Sequence, residues 1–445
     1  MTIVAVATPP GKGAVAIVRV SGPAVDSLTA RLVKTREPLR PRAATYARIL
    51  DARGERLDRA LATRFAAPNS YTGEDMLELH LHGSPVVVRE VVRALLACGA
   101  RLAEPGEFTR RAYLNGKLDL HAAAAVADVI DAETRAAARA ALANLEGGLA
   151  NEVAMLRAEL APPLEELAGA IDFPDEVPEP DRTMLKARLA AIRDRVQSLL
   201  REGERGRLLR EGVSVAIVGP PNAGKSSLLN ALLGVERAIV SEIPGTTRDT
   251  IEETLSIDGV PVRLIDTAGI RGHADRLESA GIERTRRALD AARVALIVVD
   301  GSQPLGVDAT ALIAATRDRE RVLFLNKADL GDRGARELRE TGAILGSVRD
   351  ERTVARLRDA IADAGWGGES PDLARPHLTA LAEFEAAGEA LSSLAAACDA
   401  LDGGEPVDFA ATEIQRAFSA LGHVSEQVAA EEVLDGIFSR FCIGK

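Results

Sequence analysis

The sequence Gly219-Pro-Pro-Asn-Ala-Gly224-Lys225-Ser226 decides the fold class of this chain, because it has the spacing of a loop that wraps a phosphate. It directly follows the apolar run 213–218 and precedes the helix-like stretch 228–233. Glycines let backbone N–H groups close around a phosphate, the lysine adds a positive charge, and the serine hydroxyl can ligate Mg²⁺. A strand, a glycine loop and a helix start in this order predict a P-loop α/β domain.

Three further motifs follow the loop in the order that a guanine nucleotide requires. Pro244-Gly-Thr-Thr-Arg-Asp249 offers Thr247 as a second magnesium ligand and a sensor of a γ-phosphate. Asp266-Thr-Ala-Gly269 ends an apolar run, where an acid can hold the magnesium shell and a glycine N–H can reach the γ-phosphate. Asn326-Lys-Ala-Asp329 ends another run, and its final carboxylate can accept the two N–H donors that guanine has and adenine lacks.

The four motifs together predict that the chain binds GTP with magnesium. Ser226 and Thr247 are the predicted Mg²⁺ ligands. The predicted GTP-binding residues are Asn222, Ala223, Gly224, Lys225, Ser226, Ser227, Ser241, Glu242, Ile243, Pro244, Gly245, Thr246, Thr247, Asp266, Thr267, Ala268, Gly269, Asn326, Lys327, Asp329 and Ser347.

Ile270 stands where Ras-like enzymes have a glutamine that orients the attacking water, and an isoleucine cannot do this. Arg248 and Arg271 remain candidates for an arginine finger. The Asn222 carbonyl offers another solution, since it could help to hold a potassium ion between the β- and γ-phosphates. The remaining oxygen ligands of that K⁺ are expected around Ser241, Ile243 and Thr246.

Glu278, twelve residues after Asp266, is the acid that we expect to position the attacking water. The alternative is an ordinary solvated carboxylate at a helix start.

Length and composition set limits on the rest of the molecule. A chain of 445 residues is expected to hold about three domains. With 66 acidic and 55 basic residues the net charge is −11, so nucleic acid would have to be met locally or through a partner. Three cysteines without paired spacing indicate reduced thiols in the cytoplasm, and no apolar run reaches the ~20 residues of a membrane span. We therefore expect a soluble protein without a membrane segment.

The predicted fold class is multidomain, combining α/β with all-α parts. Residues 1–118 mix β-branched runs such as 14–20 and 76–82 with a helical pattern at 86–97. Alanine-rich helical stretches are predicted at 121–150 and 152–171, and further helices at 182–209, 378–401 and 409–420. The predicted domains are an N-terminal domain (1–118), a first helical half (119–210), a Ras-like GTPase domain (211–370) and a second helical half (371–445).

The end of the chain is apolar and aromatic, in a chain with only nine phenylalanines. Residues 437–443 are therefore expected to be buried in a site, where Cys442 would be a functional thiol.

Several motifs outside the GTPase block add a resemblance. They are Thr8-Pro-Pro-Gly-Lys-Gly13, Tyr71-Thr-Gly-Glu-Asp75, Pro105-Gly-Glu-Phe-Thr109, Asn115-Gly-Lys-Leu-Asp-Leu120 and Phe441-Cys-Ile-Gly-Lys445. With these, nearly the whole chain resembles the MnmE (TrmE) family of tRNA-modification GTPases.

This resemblance implies a homodimer formed through N-terminal domains that are similar to a tetrahydrofolate-binding fold. The implied folate is 5-formyl- or 5,10-methylene-tetrahydrofolate, contacted by Arg19, Glu78, Lys117 and Lys445. It also implies a partner, MnmG, which uses flavin and NADH, in a heterotetramer or larger complex. Together they would place an aminomethyl or carboxymethylaminomethyl group on C5 of the tRNA wobble uridine.

The resemblance further implies that two GTPase domains meet across their nucleotide faces in the presence of potassium, which switches on hydrolysis. It associates Cys442 with the modification chemistry and leaves open whether the thiol is a nucleophile, a general acid or a packing residue. Two other classes stay open: an Era-like ribosome-assembly GTPase, which should carry a basic RNA-binding appendage, and a nucleotide switch with little turnover.

One departure concerns the fifth guanine-contacting element. The family pattern is Ser-Ala-Lys, or Ser-Ala with a following glycine, and the matching segment here is Gly346-Ser347-Val348-Arg349. Ser347 is the residue expected at the guanine. The departure predicts weaker binding of the guanine base, with micromolar affinity for GDP.

Overall fold

Two β-sheets organise the part of the chain that the structure, a computed structural model, describes. That part comprises residues 1–235, 253–265, 278–333, 338, 342–368, 377–378, 380–425, 431–439, 441 and 443–445. The chain divides into two units. Unit 1 is Met1–Ala127, Leu145–Gly147 and Ser425–Lys445, and unit 2 is Asp128–Asn144 and Gly148–Val424.

The elements are numbered here in chain order within the described residues. The strands are β1 (Ile3–Val6), β2 (Val15–Ser21), β3 (Val33–Lys34), β4 (Thr45–Leu50), β5 (Arg56–Phe65), β6 (Met76–His82), β7 (Arg101–Leu102), β8 (Val213–Val218), β9 (Glu253–Ile257), β10 (Val260–Ile265), β11 (Val294–Asp300), β12 (Arg321–Asn326) and β13 (Ile344–Leu345). The helices are α1 (Val25–Leu32), α2 (Pro85–Ala97), α3 (Glu107–Leu114), α4 (Leu120–Asp131), α5 (Arg135–Leu145), α6 (Gly148–Asp172), α7 (Arg182–Glu211), α8 (Lys225–Val235), α9 (Glu278–Ala291), α10 (Val307–Ala315), α11 (Glu351–Trp366), α12 (Leu381–Gly403), α13 (Val407–Ser425) and α14 (Glu431–Phe438).

The sheet of unit 1 has the strand order β3-β4-β5-β6-β2-β1-β7. Its pairs are antiparallel except for β1 and β7, which run parallel. Because side chains alternate along a strand, one face can be apolar and the other polar. The apolar face packs against α1 and α2 through residues such as Leu28, Val91 and Leu95. The strands and the helix that the sequence predicts around 14–20, 76–82 and 86–97 are confirmed.

The sheet of unit 2 has the strand order β13-β12-β11-β8-β10-β9, and only the β9–β10 pair is antiparallel. Its inner strands β8 and β11 are apolar along almost their whole length, as expected for parallel strands covered on both faces. The loops after β8 and β12 leave the sheet at its carboxyl edge, where open α/β sheets bind ligands. The motifs at 219–226 and 326–329 lie at these strand ends, and the motif at 266–269 lies outside the described residues.

One predicted helix is wrong in its extent. The stretch 121–150 forms α4, α5 and the start of α6, with breaks at 132–134 and 146–147. At the first break the Thr134 hydroxyl accepts a hydrogen bond from the Ala137 N–H at 3.1 Å and so caps a new helix. The second break contains Gly147, which has a positive φ of 81°. Alanine periodicity continues across both breaks and therefore conceals them.

Helix α5 packs against the GTPase sheet. Ala136, Ala137 and Ala140 share one hydrophobic cluster with the strands β8 to β12. The Thr134 hydroxyl also donates to the Gly259 carbonyl, 2.7 Å away in the turn between β9 and β10.

Candidate functional site

The phosphate loop connects β8 to α8 and has the curled backbone that its sequence predicts. Asn222 and Gly224 both have positive φ, 62° and 98°, which turns successive N–H groups toward the inside of the loop. A Cβ at position 224 would lie 2.2 Å from the Asn326 side-chain nitrogen. Only glycine therefore fits there, and the phosphate loop touches the predicted base-binding motif directly.

Lys225 lies at the start of α8 with its ammonium group folded over the loop. Its Nζ donates to the carbonyl oxygens of Gly219 and Pro220, both at 2.8 Å. Burial lowers the pKa of Lys225. Ser226 and Ser227 are exposed in the first turn of α8, where helix N–H groups favour an anion.

Asn326 joins the phosphate loop to the fifth motif. Its side-chain Nδ2 donates to the Ala223 carbonyl at 2.9 Å, and its Oδ1 accepts from the Val348 N–H at 3.1 Å. Asn326 is buried. Its two hydrogen bonds fix the spacing between the phosphate side and the base side of the site.

The segment proposed as the fifth motif lies beside the fourth motif. Gly346 donates to the Leu325 carbonyl at 3.1 Å and accepts from the Ala328 N–H at 3.0 Å. Ser347, the residue after Gly346, is buried beside these two hydrogen bonds. The Arg349 guanidinium lies 3.6 Å from the Asp329 carboxylate, which is the group expected to accept the guanine N–H donors.

Lys327 is held by a residue that the sequence analysis missed. Its backbone is left-handed, with φ of 65°, and its Nζ lies 2.7 Å from the Asp300 carboxylate. Ser302 donates to the other Asp300 oxygen from its N–H at 3.0 Å and from its hydroxyl at 2.6 Å. Burial tends to raise the pKa of Asp300, but the hydrogen bonds from Lys327 and Ser302 outweigh it and lower that pKa. The signal in the sequence was an acid that ends the apolar strand β11.

Many of the predicted site residues lie outside the described part of the chain. Glu278 is the first residue of α9, but the structure does not describe its side chain. The others are Ser241, Glu242, Ile243, Pro244, Gly245, Thr246, Thr247, Arg248, Asp266, Thr267, Ala268, Gly269, Arg271 and, in the tail, Cys442.

A second site, in unit 1, forms around Arg19. The Arg19 Nε and Nη2 lie 2.9 and 2.8 Å from Glu78 Oε1, across the β2–β6 pair. Its guanidinium carbon lies 5.5 Å from the Tyr71 ring centre and 5.7 Å from that of Phe108. The Arg19 and Glu78 side chains are only 16% and 17% exposed. We call this group the Arg19 pocket.

The tail reaches the same pocket from the other end of the sequence. Arg19 Nη1 donates to the Gly444 carbonyl at 3.4 Å, and the Phe108 N–H donates to the Lys445 carbonyl at 3.2 Å. Gly444 has φ of 109°, and a Cβ there would lie 2.3 Å from the Val6 carbonyl. Phe438 and Phe441 are buried, as expected for a tail that is tucked into a site, whereas Ile443 is 58% exposed although its backbone forms a bridge with Pro105.

Lys117 is placed differently from the other predicted folate residues. It is exposed, and its stem lies against Gly73, where a Cβ would be 3.4 Å from the Lys117 Cγ. The structure thus brings Arg19, Glu78 and the 444–445 segment into direct contact. Tyr71 and Phe108 were not assigned a role from the sequence, although both belong to motifs that carried the resemblance.

Among the described residues, no helix combines the length and the apolar character needed to cross a bilayer.

A glycine loop after the first strand of a mostly parallel sheet, with an Asn-Lys-x-Asp motif two strands away, defines the chain as a Ras-like P-loop GTPase. Comparison with known proteins refines this class. The family model for the GTP-binding protein TrmE N-terminus matches residues 2–117, and that for the MnmE helical domain matches residues 120–442. The chain belongs to the MnmE family.

Curated relatives named tRNA modification GTPase MnmE match over the full length. The Chloroflexus aurantiacus protein is 43% identical over 100% of this chain and 99% of its own. The Azoarcus protein is 44% identical over 100% of this chain and 98% of its own. Among solved structures, a tyrosine-to-alanine variant of Era from Aquifex aeolicus bound to GDP·AlF₄⁻ is 23% identical, with a TM-score of 0.28, over 41% of this chain and 66% of its own. As a member of its family this chain is a GTP hydrolase.

Proposed function

We propose that this chain uses GTP hydrolysis to drive modification of the wobble uridine (U34) of certain tRNAs. Acting with MnmG, it would help to install an aminomethyl or carboxymethylaminomethyl group at C5. The observation that carries this proposal is the pairing of two sites in one chain. Unit 2 contains a phosphate loop that is hydrogen-bonded to Asn326, and unit 1 contains the largely buried Arg19 pocket, which the Gly444 carbonyl contacts.

The nucleotide site fits GTP with magnesium. Ser226 and Thr247 would hold Mg²⁺, and Lys225 with the loop N–H groups would neutralise charge on the phosphates. Asn222, exposed at the left-handed bend of the loop, would hold K⁺ together with oxygens around Ser241, Ile243 and Thr246. Such a cation supplies positive charge between the β- and γ-phosphates, a role worth roughly 10³–10⁵ in rate when an arginine finger performs it.

The catalytic water needs a positioning group, because Ile270 cannot provide one. We assign that role to Glu278 at the start of α9 and keep Arg248 and Arg271 as the candidates for charge stabilisation. Apposition of two GTPase domains across their nucleotide faces would order these groups. The homodimer would form through residues 1–118.

The Arg19 pocket fits a folate. A guanidinium–carboxylate pair beside the partly exposed Tyr71 ring offers hydrogen bonds to a planar heterocycle and a surface on which it can stack, while the fully buried Phe108 ring supports the guanidinium from within. Arg19, Glu78, Lys117 and Lys445 would hold the molecule, and 5-formyl- or 5,10-methylene-tetrahydrofolate would supply a one-carbon unit. Cys442 lies two residues before Gly444 and would act in the same pocket. The compartment we assign is the cytoplasm.

Mass spectrometry of nucleosides from total tRNA tests the modification role. Cells lacking this chain should lose the C5-substituted wobble uridine, and a plasmid carrying the chain should restore it. An unchanged uridine profile would overturn the modification role and leave a ribosome-assembly GTPase as the leading class.

Hydrolysis rates in KCl and NaCl test the cation mechanism. We expect the full chain to hydrolyse GTP much faster in KCl than in NaCl. Asn222→Ala should abolish this difference, because the Asn222 carboxamide is the proposed side-chain ligand of K⁺. Asn230→Ala, at an exposed position of α8, is a matched control that should keep the potassium response. Equal rates of the unaltered chain in the two salts would rule out the potassium site.

A further inference from the structure

The face of the unit 1 sheet opposite α1 and α2 carries three cations in register. Lys34 on β3 pairs with Arg48 on β4, and Arg48 pairs with Arg59 on β5. All three residues are exposed. We call these residues the basic ladder.

The basic ladder is electrostatically unfavourable within the unit. Like charges that lie directly opposite on neighbouring strands repel each other. Among the described residues, neither the Arg48 nor the Arg59 side chain forms an ion pair, and the Lys34 ammonium donates to the Ala30 carbonyl at 2.5 Å. Asp58, the acid next to Arg59, already contacts His82, whose Nδ1 lies 2.7 Å from the Asp58 carboxylate. An external anion would relieve this repulsion.

The charge of the surrounding segment has the opposite sign to that of the chain. Residues 31–64 contain ten Lys and Arg against four Asp and Glu, a formal charge of +6 in a chain of −11. A local positive region of this kind attracts polyanions even when the whole molecule repels them.

The same face connects the basic ladder to the Arg19 pocket. Tyr46 and Leu61 pair in the next row and are 61% and 43% exposed. Leu61 on β5 pairs with His80 on β6. Glu78, two residues before His80 on β6, pairs with Arg19 on β2. From strand spacing and rise, Arg59 lies roughly 15 Å from Arg19 along this face.

We propose that the basic ladder binds the phosphate backbone of the RNA substrate and so presents a nucleotide of a single-stranded loop to the Arg19 pocket. Arg48 and Arg59 contact phosphates, and the exposed Tyr46 ring offers a surface on which a base stacks. This inference rests on the tRNA-modifying function proposed above. A second copy of the chain is a poorer occupant, because a two-fold contact at this face brings two basic ladders together.

Binding of tRNA to full-length charge variants tests the inference. The ladder variant is Arg48→Gln with Arg59→Gln. The matched control is Arg89→Gln with Arg93→Gln, which removes two exposed arginines from α2 on the other side of the same sheet.

Filter binding of unmodified tRNA transcript is measured between 50 and 200 mM KCl. At 100 mM we expect the ladder variant to bind roughly 30-fold more weakly, with a salt slope shallower by about 1.5, since two phosphate contacts are lost. The control should change by less than about threefold.

A charge reversal separates binding from folding. Arg48→Glu places a carboxylate between Lys34 and Arg59, so thermal stability should be kept or raised while RNA affinity falls by at least as much as in the ladder variant. GTP hydrolysis should be unchanged in every variant. Loss of stability in parallel with loss of binding would instead indicate a structural role and overturn the inference.

The remaining outcomes separate the ladder from the function on which it rests. Equal tRNA binding by the unaltered chain and the ladder variant would overturn only the basic ladder. A change from dimer to monomer by light scattering in the ladder variant would show that the face is a protein interface and would also overturn it. No binding by the unaltered chain, with and without GTP, would overturn RNA binding by the chain as a whole.

Discussion

The nucleotide site and the Arg19 pocket are built in different ways. The nucleotide site uses loops at the ends of neighbouring strands, and its contacts are largely to backbone atoms, as in the hydrogen bond from Asn326 to the Ala223 carbonyl. The Arg19 pocket uses side chains that meet across a sheet, and it is completed by a carbonyl 425 positions away. The first site is therefore specified by short motifs, whereas the second depends on the whole chain.

The largest expected effect follows from the close approach inside the nucleotide site. Gly224→Ala introduces a Cβ that would lie 2.2 Å from Asn326 Nδ2 at a backbone with φ of 98°. Strain of this kind and the lost Asn326 hydrogen bond should weaken GTP binding by about 100-fold. Titration with a fluorescent GTP analogue measures it. Gly234→Ala in α8, where a Cβ has no neighbour within 4 Å, is the control. Comparable affinity of the two variants would contradict the proposed coupling between phosphate loop and base site.

The matching change in the other site is Gly444→Ala, since a Cβ there would lie 2.3 Å from the Val6 carbonyl. The tail should leave Arg19, and wobble-uridine modification should fall by about 20-fold, which corresponds to a strain of 1–3 kcal/mol. GTP hydrolysis should change by less than about twofold. Gly436→Ala in α14, where a Cβ meets nothing within 4 Å, serves as the control. A parallel loss of GTP hydrolysis would show that the two sites are not separable in this way.

A smaller effect on the KM for GTP tests whether a side-chain contact also contributes to nucleotide binding in the nucleotide site. Asp300→Asn removes the carboxylate that lies 2.7 Å from Lys327 Nζ. Losing one charge-assisted hydrogen bond should raise the KM for GTP about tenfold while kcat stays within about twofold. Steady-state kinetics give this split, and the exposed Asp308 of α10, changed to Asn, provides the control. A fall in kcat with unchanged KM would assign Asp300 to the chemical step.

The smallest effect is a pH dependence in unit 1. Burial tends to raise the pKa of Glu107, but hydrogen bonds from Arg101, the Glu104 N–H and Arg111 outweigh it and lower that pKa from 4.5 to about 2. Because the folded pKa lies below the unfolded one, the stabilisation is fully present above about pH 4.5 and is lost as the pH falls toward 2.

Thermal melting of the unaltered chain and of Glu107→Gln measures this dependence. The difference between their melting temperatures should be largest near neutral pH and should shrink between pH 4.5 and 2. A difference that grows as the pH falls would contradict the ion pairs with Arg101 and Arg111.

The sequence was most informative where chemistry imposes spacing within a few residues. It placed β6 at 76–82 and the strand before the phosphate loop, because each is a local pattern. It could not indicate the Asp300–Lys327 pair, which depends on β11 lying beside β12. The break before α5 was missed because the Thr134 cap interrupts an otherwise uniform alanine pattern. The Arg19 pocket came only from resemblance, since no local rule connects Arg19 with Gly444.

The distance along the chain between Arg19 and Gly444 has a consequence for synthesis. The strands β1 to β7 contact one another within the first 102 residues and can pair soon after they leave the ribosome. The carbonyl of Gly444 is added 425 residues after Arg19, which is roughly 20–85 s later at ordinary rates of translation. During that interval Arg19 already has Glu78 beside it but lacks the tail. In a nascent chain the residues of the nucleotide site are therefore all present before the tail can close the Arg19 pocket.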